Sequence, residues 1–187
     1  MFDRHVHHCR RCGTAVEQRV PDDGDTRVRA VCPSCHTVHY VNPLLVVGTV
    51  PVWQDGRVLL CKRAIEPRYG KWTLPAGFME LEETTQAGAA RETDEEAGAR
   101  IEMGPLFSLI NLAVVGQVHM FYRATLLSDV FAPGDESLEV RLFAQDEVPW
   151  DELAFSTVHM TLKRHFEDAA RGDFGFHHMD WQPSSPR

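Results

Sequence analysis

The stretch that decides the fold runs from Gly77 to Ala99 and reads GFMELEETTQAGAARETDEEAGA. Its fixed points are Gly77, Glu83, Arg91, Glu92, Glu95, Glu96 and Gly98. Residues 84–97 are rich in helix formers, and Gly98 is suited to end the helix because glycine tolerates the left-handed conformation. On a helix turning about 100° per residue, setting Glu92 at about 0° places Glu95 near about 300° and Glu96 near about 40°. The three carboxylates therefore share one face. Ala87, Ala90 and Ala97 fall near about 220°, 160° and 140°, on the opposite side, where small residues let a helix lie close to a sheet.

Like charges three and four residues apart destabilise a helix by roughly a few tenths of a kcal/mol per pair. A hard divalent cation removes that cost: Mg²⁺ takes carboxylate oxygens, keeps several waters and joins phosphate oxygens, and Mn²⁺ suits the same ligands. Read this way, the cluster holds metal against a phosphate, and Gly77 allows a tight loop whose backbone approaches the ligand closely. A solvated acidic face is the ordinary reading of a run of glutamates. However, seven positions of fixed type, each at a frequency of about 7%, coincide by chance on the order of 10⁻⁸ per start point.

Working outward, Leu45–Val50 and Val58–Cys61 are β-rich runs on either side of Gln54-Asp55-Gly56, a hairpin signal. A loop with Pro67 and Gly70 leads into Trp72–Gly77. Strand-like runs return at 106–115, 118–127 and 140–144, and a last helix is predicted over about 157–171, with Ser156 as its N-cap and Gly172 just past its end. The order strands, helix, strands, helix predicts an α/β fold, a mixed sheet with helices on its faces.

Upstream, Cys9-x2-Cys12 and Cys32-x2-Cys35 are separated by 19 residues. That spacing matches two knuckles that together present four thiolates, a closed tetrahedral site suited to structural Zn²⁺. The boundary is placed so that residues 1–40 form a zinc ribbon and residues 41–187 the second domain. Cys61, in a strand, reads as a small core residue. Histidines 7, 8, 36 and 39 crowd the ribbon and read as surface groups. Residues 1–40 carry six arginines against five acids. With Zn²⁺ and four thiolates adding about −2, the module is near −1, which lacks the basic footprint of a nucleic-acid reader.

Gly77-x5-Glu83-x7-Arg91-Glu92-x2-Glu95-Glu96-x-Gly98 resembles the Nudix box. The resemblance extends through Val41-Asn42-Pro43, Cys61-Lys62-Arg63, Gly70–Gly77 and Glu136–Phe143 to the subgroup with an N-terminal zinc ribbon, which includes a plant chloroplast enzyme acting on FAD and ADP-ribose. It implies an α/β/α sandwich and hydrolysis of nucleoside diphosphate derivatives with Mg²⁺ or Mn²⁺. It also implies that Glu92, Glu96 and the Ala76 carbonyl are metal ligands, that Glu95 is a ligand through water or the general base, and that Glu83 and Arg91 pair to brace the loop. Thr93 and Ala99 stand where the family prefers bulky aliphatic residues, and both are expected to be packing positions. After Glu95, Glu139 is the next candidate for the base; it sits in Glu136-Ser137-Leu138-Glu139, where related pyrophosphatases place a further acidic metal ligand, and the other reading of Glu136 and Glu139 is exposed loop acids. Arg63 and Arg68 are candidate phosphate contacts, and Trp72 and Phe78 candidate ring-stacking residues. Gln117 and His119 share a strand face and either line the pocket or play a structural part.

The net charge of −8 argues against broad nucleic-acid or anionic-membrane binding. Met1–His5 has no apolar h-region, and the longest apolar stretch, Leu44–Trp53, is too short to span a bilayer. A cytoplasmic setting, a small nucleotide substrate, and a homodimer contact are the expectations. Two other functions stay open. An NADH pyrophosphatase would carry a Ser-Gln-Pro-Trp-Pro-Phe-Pro-like run after the box, which is absent from Ala99–Thr125. A non-catalytic nucleotide sensor would be expected to lose one of Glu92, Glu95 or Glu96.

Overall fold

The computed structural model describes residues 5–183. Residues 1–4, on which the reading of the N-terminus largely rests, lie outside them. The chain divides into two compact units, Met1–Pro43 and Leu44–Arg187.

In the first unit three short antiparallel strands, β1 (Glu17–Arg19), β2 (Arg29–Val31) and β3 (Val38–His39), lie in the order β1-β2-β3. Too little apolar surface is present to hold them: Ala30 and Val31 are buried along with Cys9 and Cys32. Two knuckles with matching backbones supply the rest. The Cys9 N–H donates to Thr14 O at 2.8 Å, and the Cys32 N–H to Thr37 O at 3.0 Å. The N–H of Gly13 donates to Cys9 O at 2.9 Å, and that of His36 to Cys32 O at 3.0 Å. The residue after each second cysteine is left-handed, Gly13 at φ 75° and His36 at φ 58°. Only the first knuckle places glycine there, and a side chain costs roughly 1–2 kcal/mol in this conformation. His36→Gly, partly offset by glycine's freedom in the unfolded chain, is therefore expected to tighten zinc binding by roughly two- to fivefold, the equivalent of about 0.5–1 kcal/mol. Competition with a chromophoric chelator measures it, and weakened retention would contradict it.

The second unit is built on a mixed sheet. Its strands are β4 (Leu44–Val52), β5 (Val58–Arg63), β6 (Trp72–Thr73), β7 (Ala76–Phe78), β8 (Ile101–Leu112), β9 (Gln117–Leu126), β10 (Ser137–Phe143) and β11 (His177–Asp180). The order is β10-β5-β4-β9-β8-β11, with β6 paired to β5 and β7 to β4. The pairs β4–β9 and β8–β11 are parallel, the others antiparallel. The hairpin at Asp55-Gly56 is closed by a 2.8 Å bond from the Trp53 N–H to Arg57 O, with Gly56 at φ 87°.

Helix α1 (Thr85–Ala97) and helix α2 (Ser156–Arg171) cover opposite faces. Alternation along the strands makes this possible. On β5, Val58 and Leu60 face a core with Val158, Leu162 and Phe166 of α2, while Leu59 and Cys61 face Ala97 and Ala99 at the end of α1. On β9, Phe121 belongs to the α2 side and Tyr122 packs with Val47 and Ala89 of α1. Cys61 is thus the small core residue expected. The result is the α/β/α sandwich.

Several details differ from the sequence reading. Phe155, not Ser156, occupies the N-cap position of α2, without a side-chain cap bond, and Ser156 is the first helical residue. The run read as a strand over 106–115 starts at Ile101 and turns after Leu112. Strand β11 follows α2 and adds a parallel edge to β8 that no periodicity announced.

Candidate active site

Helix α1 begins where Thr84 caps it, its hydroxyl accepting from the Ala87 N–H at 3.1 Å, and ends at Gly98, left-handed at φ 56°. The face against the sheet is Gly88, Ala89, Thr93, Glu96 and Ala97, all buried. Ala87 is exposed and Ala90 only half-buried, so the contact face is rotated from the one read off the sequence. Thr93 and Ala99 are packing positions as expected. The Thr93 hydroxyl donates to Ala89 O at 2.8 Å and meets the Thr49 hydroxyl of β4 at 2.7 Å. A polar residue in an apolar slot is thereby satisfied by a matching one on the sheet, as burial requires.

Arg91 organises the approach to this helix. Its Nε and Nη2 grip Glu83 at 3.0 and 2.9 Å, the two-pronged geometry a carboxylate favours. Its Nη2 also reaches Phe78 O at 3.3 Å, and its Nη1 bonds Glu92 at 2.8 Å and Glu95 at 2.9 Å. The guanidinium and the Glu80 N–H hold the Glu83 carboxyl down at about 2. The loop 78–84 is thus tied to the helix by the pair the resemblance implies. Gly77 lies in β7, opposite Val47 of β4, rather than in a loop, and its φ is ordinary. Glycine matters here for a different reason: a Cβ would displace the Glu92 carboxylate from the place it holds.

The carboxylates are not equivalent. The Glu95 side chain is 58% exposed, that of Glu92 13%. Glu96 is buried, and its one hydrogen bond comes from the Ala76 N–H at 3.3 Å. Burial, then the charge of Glu92, push the Glu96 carboxyl up to about 8, with Arg63 a weaker opposing charge. Glu92 is also raised, again by burial first. Glu96, buried with one neutral donor and with Glu92 beside it, has no ion pair among the described residues, so the residues present fit a divalent metal.

Glu139, on β10, pairs across to Lys62, whose Nζ stands 3.9 Å away, and its side chain is half exposed. The acid whose charge bears on both Glu92 and Glu96 is Glu136.

Arg63 lies over the Phe155 ring at 5.2 Å and donates from Nε to Pro67 O at 2.9 Å. Arg68, left-handed at φ 71°, lines an open cleft with Lys71, Trp150, Phe155 and His159. Phe78 is 44% exposed. Trp72 is not: it is buried, edge-on to Phe143 with centroids 4.8 Å apart, so its ring is spent on the core. His119 is buried between the Thr157 hydroxyl and Gln117, both at 3.1 Å, which gives it a structural part. Tyr122 is likewise buried, its hydroxyl on Thr85 at 2.6 Å.

In the first unit, the four sulfurs of Cys9, Cys12, Cys32 and Cys35 all lie within 4.8 Å of one another. Three of the pairs are 3.5 Å apart, and none is a disulfide. A tetrahedral Zn²⁺ with arms of about 2.3 Å sets sulfurs about 3.8 Å apart, so the cluster fits that ion.

Residues 43–165 match the family model described as NUDIX domain, and residues 7–41 the one described as Nudix N-terminal. The crystal structure of a NUDIX hydrolase from Nitrosomonas europaea superposes with a TM-score of 0.90 at 50% identity, covering 95% of this chain and 100% of that one. A MutT-like protein of Streptomyces ambofaciens is 35% identical over 64% of this chain and 71% of its own length. An ADP-ribose pyrophosphatase of Methanocaldococcus jannaschii is 30% identical over 62% of this chain and 69% of its own. The NAD-capped RNA hydrolase NudC of Photobacterium profundum is 29% identical over 73% of this chain, which spans 49% of that protein. With Arg91, Glu92, Glu95 and Glu96 on one helix, Glu96 buried, and both family models matched, the chain belongs to the Nudix family and is a Nudix hydrolase with the family's N-terminal zinc ribbon.

Proposed function

We propose that this hydrolase cleaves the pyrophosphate bond of ADP-ribose and FAD, releasing AMP, with Mg²⁺ or Mn²⁺ at Glu92, Glu96 and the Ala76 carbonyl and Zn²⁺ at the four cysteines. The observation that carries the reaction class is the buried Glu96 beside Glu92, an arrangement that is unfavourable without a cation. A bound divalent ion would neutralise the pyrophosphate oxygens, activate water and stabilise the leaving oxygen.

The chain's own residues do the rest. Arg91 fixes the direction of Glu92 and Glu95 and ties them to Glu83. Glu95, the most exposed of the three glutamates on α1, is the candidate to take the proton of the attacking water, with Glu136 the alternative. Phe78 offers a ring face at the mouth of the site, and Arg63 and Arg68 offer charge to phosphate oxygens.

The substrate choice is supported by the ADP-ribose pyrophosphatase relative and by the resemblance to the FAD and ADP-ribose subgroup. A second reading, NADH pyrophosphatase, has beside it relatives named as NAD-capped RNA hydrolases and is opposed by the missing proline-rich run in 99–125. Discrimination among substrates that share an ADP half comes from contacts worth about 1–3 kcal/mol, so rates should overlap. The expected result is that ADP-ribose and FAD exceed NADH in kcat/KM at one pH and metal concentration. NADH exceeding both by more than about tenfold, a reversal of about 1.4 kcal/mol, would overturn the choice.

A further inference from the structure

The segment from Phe131 to Ser137 joins β9 to β10, yet its backbone is spent on α1. An α-helix leaves its last carbonyls without intrahelical partners. Here the Ala132 N–H donates to Ala97 O at 2.9 Å and the Gly134 N–H to Glu96 O at 3.1 Å. Phe131 anchors the near side among Ala97, Ala99 and Leu126. On the far side the Ser137 N–H closes a turn onto Gly134 O at 3.0 Å, and Glu136 O accepts from the Ala64 N–H of the β5 end at 2.8 Å. Gly134 has no positive φ. It is glycine because a Cβ would overlap the Glu95 backbone carbonyl. So the loop that carries Glu136 lies flush against the turn that carries Glu95 and Glu96.

We infer that Gly134 is a positioning residue, and that the backbone clamp 132–134 holds the Glu136 carboxylate at a fixed distance from the carboxylates of α1. This rests on the reading of those carboxylates as a cation site. When a side chain is forced in at 134, one of the two partners must move. Helix α1 is held by Thr93, Ala89 and Ala97 in the core, whereas residues 135 and 136 are exposed, so the loop yields and takes Glu136 with it.

The test compares wild type, Gly134→Ala, Glu136→Gln and the double variant. Mn²⁺ binding is followed by electron paramagnetic resonance of the free ion, alongside kcat and KM. Gly134→Ala should weaken Mn²⁺ binding at least threefold and lower kcat at least tenfold, with KM for substrate changed less than threefold. The double variant should match Glu136→Gln, because both changes remove the same carboxylate from its place. Losses that multiply in the double variant, or Gly134→Ala with wild-type Mn²⁺ binding and kcat, would overturn the inference. Hydrogen exchange of wild type decides the matter if Gly134→Ala fails to fold. The amides of residues 132 and 134 should be protected and become more so when Mg²⁺ is added. Exchange at free-peptide rates, or protection indifferent to Mg²⁺, would overturn it. A wild type that neither binds Mn²⁺ nor hydrolyses any substrate would instead count against the function proposed above.

Discussion

Glu96→Gln should abolish most of the activity while making the metal-free protein more stable. Glutamine has the shape of glutamate and no charge. It can still accept from the Ala76 N–H, so the packing of α1 on β7 is kept. What disappears is a buried negative charge beside Glu92. Losing a charge-stabilising group of this kind costs about 10²–10³ in kcat, and a fall of about a hundredfold or more is expected. The stability change has the opposite sign. The folded-state carboxyl of Glu96 is raised to about 8, above its unfolded value of roughly 4.3. The native state then binds more protons than the unfolded chain between those values, so stability falls as pH rises through that window. Glutamine removes this dependence. In EDTA, the variant should therefore melt above wild type at pH 8 and close to it at pH 4. A variant that loses both activity and melting temperature would mean that Glu96 is a packing residue.

The second large effect concerns zinc. The three strands of the first unit have two or three residues each, and a unit this small cannot bury enough apolar surface to fold alone. Structural Zn²⁺ contributes on the order of 10 kcal/mol or more to such modules. Stripping it, or replacing Cys12 with serine, should collapse the dispersed amide resonances of residues 7–40 and leave those of the second unit, with its own three apolar clusters, in place. Dispersed resonances in chelator-washed protein holding neither zinc nor iron would refute the assignment, as would a disulfide between any two of the four cysteines.

The long periodic elements were legible in the sequence because their signals are local. Gly98 marks the end of α1, Asp55-Gly56 marks the hairpin between β4 and β5, and the two Cys-x2-Cys pairs mark the ribbon. Strands β6 and β7 were not, since two or three residues carry no period and their pairing with β5 and β4 is settled by the sheet. The burial of Glu96 was not legible either. A wheel places it with Glu92 and Glu95, but only the position of β7 shows which side of that face is covered. Trp72 was misread because an aromatic beside the box looks the same whether it faces a ligand or Phe143. Glu136 and Glu139 were separable only by the bulge between Ser137 and Glu139, which lets Glu139 lie across from Lys62.

Among the described residues, no helix is long and apolar enough to cross a bilayer.

The central claim is that Glu92 and the buried Glu96 on α1 hold a divalent ion for cleavage of a nucleoside diphosphate linkage. The most direct measurement is product analysis of ADP-ribose and FAD incubated with the zinc-loaded protein, with and without Mg²⁺ or Mn²⁺. The account predicts AMP in equal amount to the phosphorylated remainder, formed only when the divalent ion is present and lost in Glu96→Gln. Release of AMP that persists in excess EDTA, or that Glu96→Gln leaves at the wild-type rate, would contradict it.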